Sequence, residues 1–385
     1  MSTPHTTRPL ATPAGINGLR PDTGARRAWW LGLGLVLAAG ALAVVSLAVG
    51  STGVEPIFQV LGQLLGALLA GAPDLPAAGV EGLAGAVPSA AESAQVNAHI
   101  SAQIVWDIRA PRTLGAFLAG ALLGLAGAVA QGLFRNPLAD PFLLGSASGA
   151  TLGVASALSL LGVSPMATSW VVRAGLTGAA FVGAVLAVLL TLLLAKGVQH
   201  TLRLLLAGVV VGVVLGAFSS LVTLLSPDIL QAMQAFMLGS TGFVGWAVVG
   251  IMGSVWLPCL AVALAFSRVL DGLSLGEATA ASLGLPLGAL RVALVAVLAL
   301  ATGTAVAQTG LIAFVGLAAP HLVRSTVKTT HARLLALSSL MGGVLLLLAD
   351  TLARGVMAPQ ELPVGVLTAV LGGGYLLWLM HRRAG

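Results

Sequence analysis

The sequence predicts an all-α, polytopic membrane protein of ten transmembrane helices. Three observations carry that expectation. The chain of 385 residues is 58% hydrophobic and 8% charged, against roughly 25% charged in soluble domains. Its apolar residues fall into runs of the length that crosses a hydrocarbon core of about 30 Å. Its basic residues fall almost entirely in every second loop between those runs. A net charge of +6 would suggest nucleic acid in a soluble protein; here the charge lies in loops and reads as topology. The lone Cys259 excludes an intrachain disulfide framework and metal clusters built on cysteine. Fifty glycines suit close helix contact in lipid, where small residues let backbones approach.

Residues 1–27 are Pro, Thr, Gly and Arg without apolar periodicity, which predicts a disordered tail. The run 28–50 is too long for a signal-peptide core and has no clear cleavage site, so it is a first span that stays. The apolar stretch 57–71 is short and fits an interfacial segment; 72–99, rich in Ala, Gly and Pro with Asp74, Glu81 and Glu92, reads as a loop. Spans follow at 112–133, 143–163, 171–195, 203–225, 242–266, 288–306, 308–323, 333–352 and 363–380. Gln308, Thr309 and Gly310 mark the turn between the seventh and eighth. A single transmembrane domain thus covers 28–383.

Ten spans put both termini on one side. All 18 Lys and Arg residues fall on the tail side of such a bundle except Arg109, Arg112, Arg173 and Arg354. The positive-inside rule makes the tail side cytoplasmic and 72–99 an outer loop.

One cytoplasmic segment, between the sixth and seventh spans, is short and polar. Ser274 stands three residues before Glu277, a capping-box spacing. Gly284 follows Leu283 where a helix needs a left-handed stop, and Pro286 prevents restarting. The helix expected over 275–283 is about 13 Å long and cannot span. Its expected exposed face is small: Ala278, Ala280, Ala281 and Ser282. Caps on so short a helix make sense if it is preformed to enter another protein.

No G-x-x-x-x-G-K-[ST] occurs, so no P-loop is present. No H-E-x-x-H or paired Cys/His spacing occurs, and no cofactor or metal is expected on this chain. His321, beside Pro320, fits interfacial packing better than a metal role. Charge inside the spans is nearly absent. Asp350 and Arg354 are four apart and suit a helical ion pair, while Asp140, Asp228 and Glu361 sit near span ends. Gly208, Gly212 and Gly216 form a small-xxx-small face, as do Gly120 and Gly124. Packing explains both; a translocation-side or dimer-side face is the alternative. Met233 and Met237, one turn apart in a short outer helix over 228–238, are core filling or a soft surface for a large ligand.

Several motifs together resemble the FecCD-type permeases, the membrane subunits of bacterial ABC importers for ferric siderophores, haem and vitamin B12. They are WDIRAPRT (106–113), QGLFRNPLADP (131–141), LLGSASG (143–149), RLLLAG (203–208), LGE (275–277) with LGLP (283–286), GLIAFVGLAAPH (310–321), and ADTLAR (349–354) followed by ELPVG (361–365). They occur in the family's order over about 28–383. The resemblance implies the type II importer permease fold and a homodimer with its pathway at the dimer axis. It also implies two copies of a separate ATPase that binds ATP and Mg, and a periplasmic binding protein that delivers the ligand. The chain itself is then not an enzyme. Residues 272–286 become cytoplasmic coupling helices that dock in the ATPase through Leu275, Gly276, Glu277, Ala278, Ala281, Ser282, Leu283, Gly284 and Leu285. Arg109, Arg112 and Arg354 face the binding protein, and a cytoplasmic gate lies at Thr201 and Leu202. The stretch 72–99 is longer than the resemblance leads one to expect. Siderophore, haem and cobalamin all remain open as cargo. The rival reading is a stand-alone carrier coupled to an ion or proton gradient; the near absence of buried charge and the capped cytoplasmic helix both count against it.

Overall fold

The computed structural model describes residues 23–50, 53–54, 56–70, 90–162, 170–196, 201–282 and 287–384. Among the described residues the protein is all-α apart from two antiparallel two-residue strands, β1 (Val49–Gly50) and β2 (Gly53–Val54). The helices are α1 (Thr23–Ala48), α2 (Ile57–Ala70), α3 (Ala90–Gln103), α4 (Ala110–Leu133), α5 (Ser146–Leu161), α6 (Trp170–Leu194), α7 (Thr201–Leu225), α8 (Leu230–Leu238), α9 (Trp246–Ala265), α10 (Ser267–Ser274), α11 (Glu277–Ser282), α12 (Leu287–Thr309), α13 (Val315–Thr326), α14 (His331–Gly355) and α15 (Val364–Ala384).

Each expected span has a helix. Among the described residues seven are long and apolar enough to cross a membrane. The other three expected spans are shorter: α5 has 16 residues, α13 has 12, and the apolar part of α15 is Val364–Trp378. Two of them are broken helices with irregular backbone in front. The 3-10 turn Pro141–Leu144 precedes α5, and 310–314 precedes α13. Such backbone is tolerated at membrane depth only where it is bonded and buried. Here Leu311 N–H donates to the Phe236 carbonyl (3.1 Å), Ser240 N–H to that of Thr309 (2.8 Å), and Ile312 is buried. The turn after Thr309 stands where Gln308, Thr309 and Gly310 predict it.

α4 is the axis of the bundle: 83% of its most apolar stretch is buried, against 17% for α7 and α9. It runs antiparallel to α14 at close range. A Cβ on Gly120 would lie 2.2 Å from the Gly342 carbonyl oxygen, and one on Gly124 2.2 Å from that of Ser338. Only glycine permits this approach, so the Gly120/Gly124 face packs within the subunit. Ser339 Oγ donates to the Ala121 carbonyl (3.0 Å) and accepts from Trp256 Nε1 (2.8 Å), tying α9 to the same pair. The α1 residues Ala28 and Leu35 join Val323, Val327, Leu334 and Leu337 in one cluster, so α1 and the start of α14 share the tail end.

Two expected boundaries move. The proposed tail 1–27 lies outside the described residues up to 22, and α1 begins at Thr23 rather than 28. Ala25, Arg26 and Arg27 favour helix and extend it before the apolar run begins. Within the expected loop 72–99, residues 71–89 are outside the described set, but α3 starts at Ala90. Its alanines, Glu92 and Gln95 have high helix propensity.

Candidate functional site

The pair α4–α14 carries charged chemistry at its two ends, with the close glycine and serine contacts between them. At the end remote from the tail lies a buried ion cluster. The first half of WDIRAPRT ends a π-helical segment, Ile104–Arg109, and its second half begins α4, with Pro111 in the first turn. The shift of register turns Arg109 and Arg112 inward. Arg112 Nε and Nη2 donate to Asp350 Oδ1 (3.3 and 3.2 Å), and its Nη1 reaches both oxygens of Glu361 (3.1 and 2.9 Å). Asp350 is fully buried; its second oxygen faces Arg354 Nη2 at 3.0 Å, the expected i,i+4 pair, and the Thr241 hydroxyl donates to the first.

Arg109 and Arg354 also cap α1. The last four carbonyls of a helix lack intrahelical partners and carry partial negative charge. Arg354 Nη1 donates to Ser46 O (3.0 Å) and Val49 O (2.9 Å), and its Nη2 to Ser46 Oγ. Arg109 Nη1 donates to Leu47 O (3.0 Å). Ser46 and Thr113 share a hydroxyl contact of 2.8 Å. Trp246 Nε1 donates to the Trp106 carbonyl (3.0 Å), closing α9 over the π segment.

Arg109, Arg112 and Arg354, expected to face the binding protein, are 4%, 8% and 2% exposed and engaged within the chain. The α1 carbonyls and the two carboxylates draw them in. The open edge of the cluster is Glu361, whose side chain is 32% exposed. The expectation that buried charge is nearly absent does not hold, since Asp350 sits at 0% exposure.

At the tail end, α9 is followed by two short helices rather than one. α10 exists because Val269, Leu270 and Leu273 recur on one face, and all three are buried. It ends at Ser274, two residues before Gly276, whose φ of +109° no ordinary residue adopts comfortably. Ser274, expected as a helix N-cap, is instead the last residue of α10, and its Oγ donates to the Asp271 carbonyl (2.6 Å). Leu275 is 67% exposed, and Ser282 is exposed. Ala280, expected on the free face, is fully buried. Glu277, Ala278 and Ala281 belong to α11, and Leu283, Gly284 and Leu285 lie outside the described residues. Asp271 reaches across to α14, accepting from His331 N–H (3.0 Å) and pairing with its Nδ1 (2.7 Å).

The QGLFRNPLADP motif shapes the same end. Gln131 Nε2 donates to Leu317 O (3.2 Å), and its Oε1 accepts from Arg324. Asp140 accepts from Phe142 N–H (2.8 Å) and caps the 3-10 turn; burial pushes its carboxyl up, against the lowering by that N–H.

The remaining predicted positions disperse. Thr201 and Leu202 begin α7, and Leu202 is 70% exposed. A Cβ on Gly208 would lie 2.0 Å from Leu143 O, while those on Gly212 and Gly216 would meet Ser148 Oγ at 3.7 and 3.9 Å. This face lies on the 3-10 turn and α5 of the same chain, in keeping with the packing reading. The exposed face of α7 carries Val209, Val210, Val213 and Val214 instead. Met233 is core, at 2% exposure; Met237 is exposed. His321 lies 5.9 Å, edge on, from Tyr375, a packing contact. Sequence reasoning missed Ser46, Thr241, Asp271 and His331. The only available signals were the Leu270/Leu273 spacing and a polar residue near a span end.

Comparison with known proteins gives one answer. The family profile described as the FecCD transport family matches residues 79–382. The hemin transport system permease HmuU of Yersinia pestis is 39% identical over 285 residues, 72% of this chain and 84% of that protein. The vitamin B12 import system permease BtuC of Salmonella paratyphi A is 41% identical over 281 residues, covering 73% and 84%. A solved metal-chelate type ABC transporter in an inward-facing conformation superposes with a TM-score of 0.71 at 27% identity, over 92% of this chain and 99% of that one. The all-α bundle built on a buried α4, the seven ordered motifs and these likenesses agree: the chain belongs to the FecCD transport family.

Proposed function

We propose that this chain is the membrane-spanning permease of an ABC importer that carries a large metal chelate, a ferric siderophore, haem or cobalamin, into the cytoplasm. The observation that carries the reading is identity of about two in five residues, over more than seven-tenths of the chain, to permeases named for hemin and for vitamin B12. The working unit is a homodimer in the bacterial inner membrane with both termini cytoplasmic. Two copies of a separate ATPase bind ATP and Mg and do the hydrolysis; this chain, without a P-loop, binds no cofactor of its own. The ATPase meets the α10–α11 corner, where exposed Leu275 offers an apolar contact. Copies meet through the exposed valines of α7 rather than its glycine face. A periplasmic binding protein docks over the ion cluster. Its carboxylates reach Arg112 at the Glu361 edge, while Arg109 and Arg354 hold that surface in shape from beneath.

Ion-coupled transport is disfavoured on the same geometry. Both oxygens of Asp350 face guanidiniums, and the cluster staples α1, α4 and α14 rather than lining a path. The test is reconstitution of the permease in vesicles with its cognate ATPase and binding protein. Radiolabelled haemin, a panel of ferric siderophores and cyanocobalamin are supplied in turn. ATP-dependent uptake of one of them is expected. Uptake driven by an ion gradient without ATPase would replace this reading with the carrier.

A further inference from the structure

We propose that Asp271 and His331 form the joint that fixes the ATPase-facing segment to the α4–α14 pair, which makes both of them positioning residues for transport. The inference rests on the reading of α10–α11 as that segment. An eight-residue helix is marginal by itself, so the position of α10 is set by what it is fastened to. Its buried face fastens it by packing: Leu270 and Leu273 are 0% and 1% exposed. Its carboxylate fastens it in a direction. Asp271 Oδ1 takes both the first backbone N–H of α14 (3.0 Å) and the His331 ring at Nδ1 (2.7 Å). Thr330, at the N-cap position of α14, makes no side-chain cap bond. A carboxylate sixty residues away in sequence therefore serves the positive end of a 25-residue helix. α4 closes the joint: a Cβ on Gly132 would lie 3.2 Å from Leu270 Cδ2 and 3.3 Å from the His331 ring.

The chain leaves this joint at once for the exposed corner. The Asp271 carbonyl accepts from Ser274 Oγ, and Leu275, Gly276 and α11 follow directly. Asp271 is thus held through its carboxylate by α14 and through its carbonyl by the turn that aims α11. A displacement of the ATPase-facing corner is handed to α14 through this residue.

Two measurements test the joint. The first is amide hydrogen exchange across 267–274 in the full-length permease alone. His331→Ala should speed exchange about tenfold, the size of losing one hydrogen bond to a charged group. Asp271→Asn, which keeps an acceptor but not the charge, should speed it less. His331→Asn, whose side-chain amide reaches the Nδ1 position, should restore the wild-type rate. The second is substrate moved per ATP hydrolysed in the reconstituted complex. His331→Ala should lower it about tenfold while basal hydrolysis continues, with rescue by His331→Asn. Unchanged exchange in both His331→Ala and Asp271→Asn overturns the joint. Faster exchange with undiminished transport per ATP overturns the positioning role. A wild-type permease that assembles with no ATPase overturns the functional reading and the positioning role with it, while the exchange result still reports whether the joint exists.

Discussion

Asp350→Asn is the sharpest test of the ion cluster. The substitution keeps the shape of the side chain and an acceptor for Thr241, and removes only the charge. Three guanidiniums, Arg109, Arg112 and Arg354, then remain in a nearly water-free site with Glu361 as the one carboxylate of the cluster left. Two unit charges 4 Å apart interact by about 4 kcal/mol at an effective dielectric near 20. Removing one partner of a buried pair costs about 3–5 kcal/mol, because the other is stranded. Asp350 faces two guanidiniums within 3.3 Å, so its loss belongs in that range. Arg112→Met is the informative contrast. It leaves Asp350 still paired with Arg354, and leaves Glu361 at an edge where water reaches it. Its cost is expected to be smaller, and the double variant less destabilised than the sum of the singles, as for residues in one network. The assay is the fraction of monodisperse permease surviving graded heating in detergent, with far-UV dichroism to follow helix content. Asp350→Asn as stable as wild type, or more stable than Arg112→Met, would refute the electrostatic account of the cluster.

Three further outcomes are expected. Gly124→Val places a side chain 2.2 Å from Ser338 O and should cost at least about 3 kcal/mol, the upper end of overpacking; Gly34→Val, with nothing within 4 Å, is the control, and equal yields of folded protein would contradict the close α4–α14 contact. Ala281→Arg, which adds bulk and charge to α11, should leave the permease folded but abolish co-purification of the ATPase and ligand-stimulated hydrolysis; survival of both would remove α11 from the interface. With Cys259→Ser as background, an impermeant maleimide should label Gln360→Cys in intact cells and Ser274→Cys only after lysis; labelling of both from outside would end the proposed orientation.

What the sequence made legible follows from which quantities are local. Span positions, the break after Thr309 and the Asp350–Arg354 pair depend on neighbours within one helix, and all were readable. Depth is not local. Charge counting assigned Arg109, Arg112 and Arg354 to one side of the membrane but carried no sign that α1 ends beside them with unpaired carbonyls. Glycine spacing marked small faces on α4 and α7, yet spacing does not name the partner; Gly342 and Leu143 do, and both are in this chain. Ser274 and Glu277 had the right separation for a capping box, but Ser274 ends α10 with its Oγ on the Asp271 carbonyl, because Leu270 and Leu273 had already folded the preceding turn onto the core. The Asp271–His331 contact joins positions sixty apart, and neither residue belongs to a recognisable motif.

The distribution of polar groups along α4 and α14 also constrains how this protein can move. Charge and hydroxyl clusters occupy the two ends of the pair. Between them Gly120 and Gly124 meet Gly342 and Ser338 at backbone contact, and Ser339 is bonded to Ala121 O. Close-packed backbones transmit strain rather than absorb it. Sliding of α4 along α14 would drive the Leu346 side chain and the Gly342 carbonyl into the space that Gly120 leaves free. The pair therefore moves as one body, and rearrangement falls to helices with fewer internal contacts. α7 and α9 are the least buried of the candidate spans, at 17% each. α7 touches its own subunit through Gly208 and carries valines on its exposed side. A rigid α4–α14 axis, pinned to α1 by arginines at one end and to α10 by Asp271 at the other, is a frame against which such a helix can tilt.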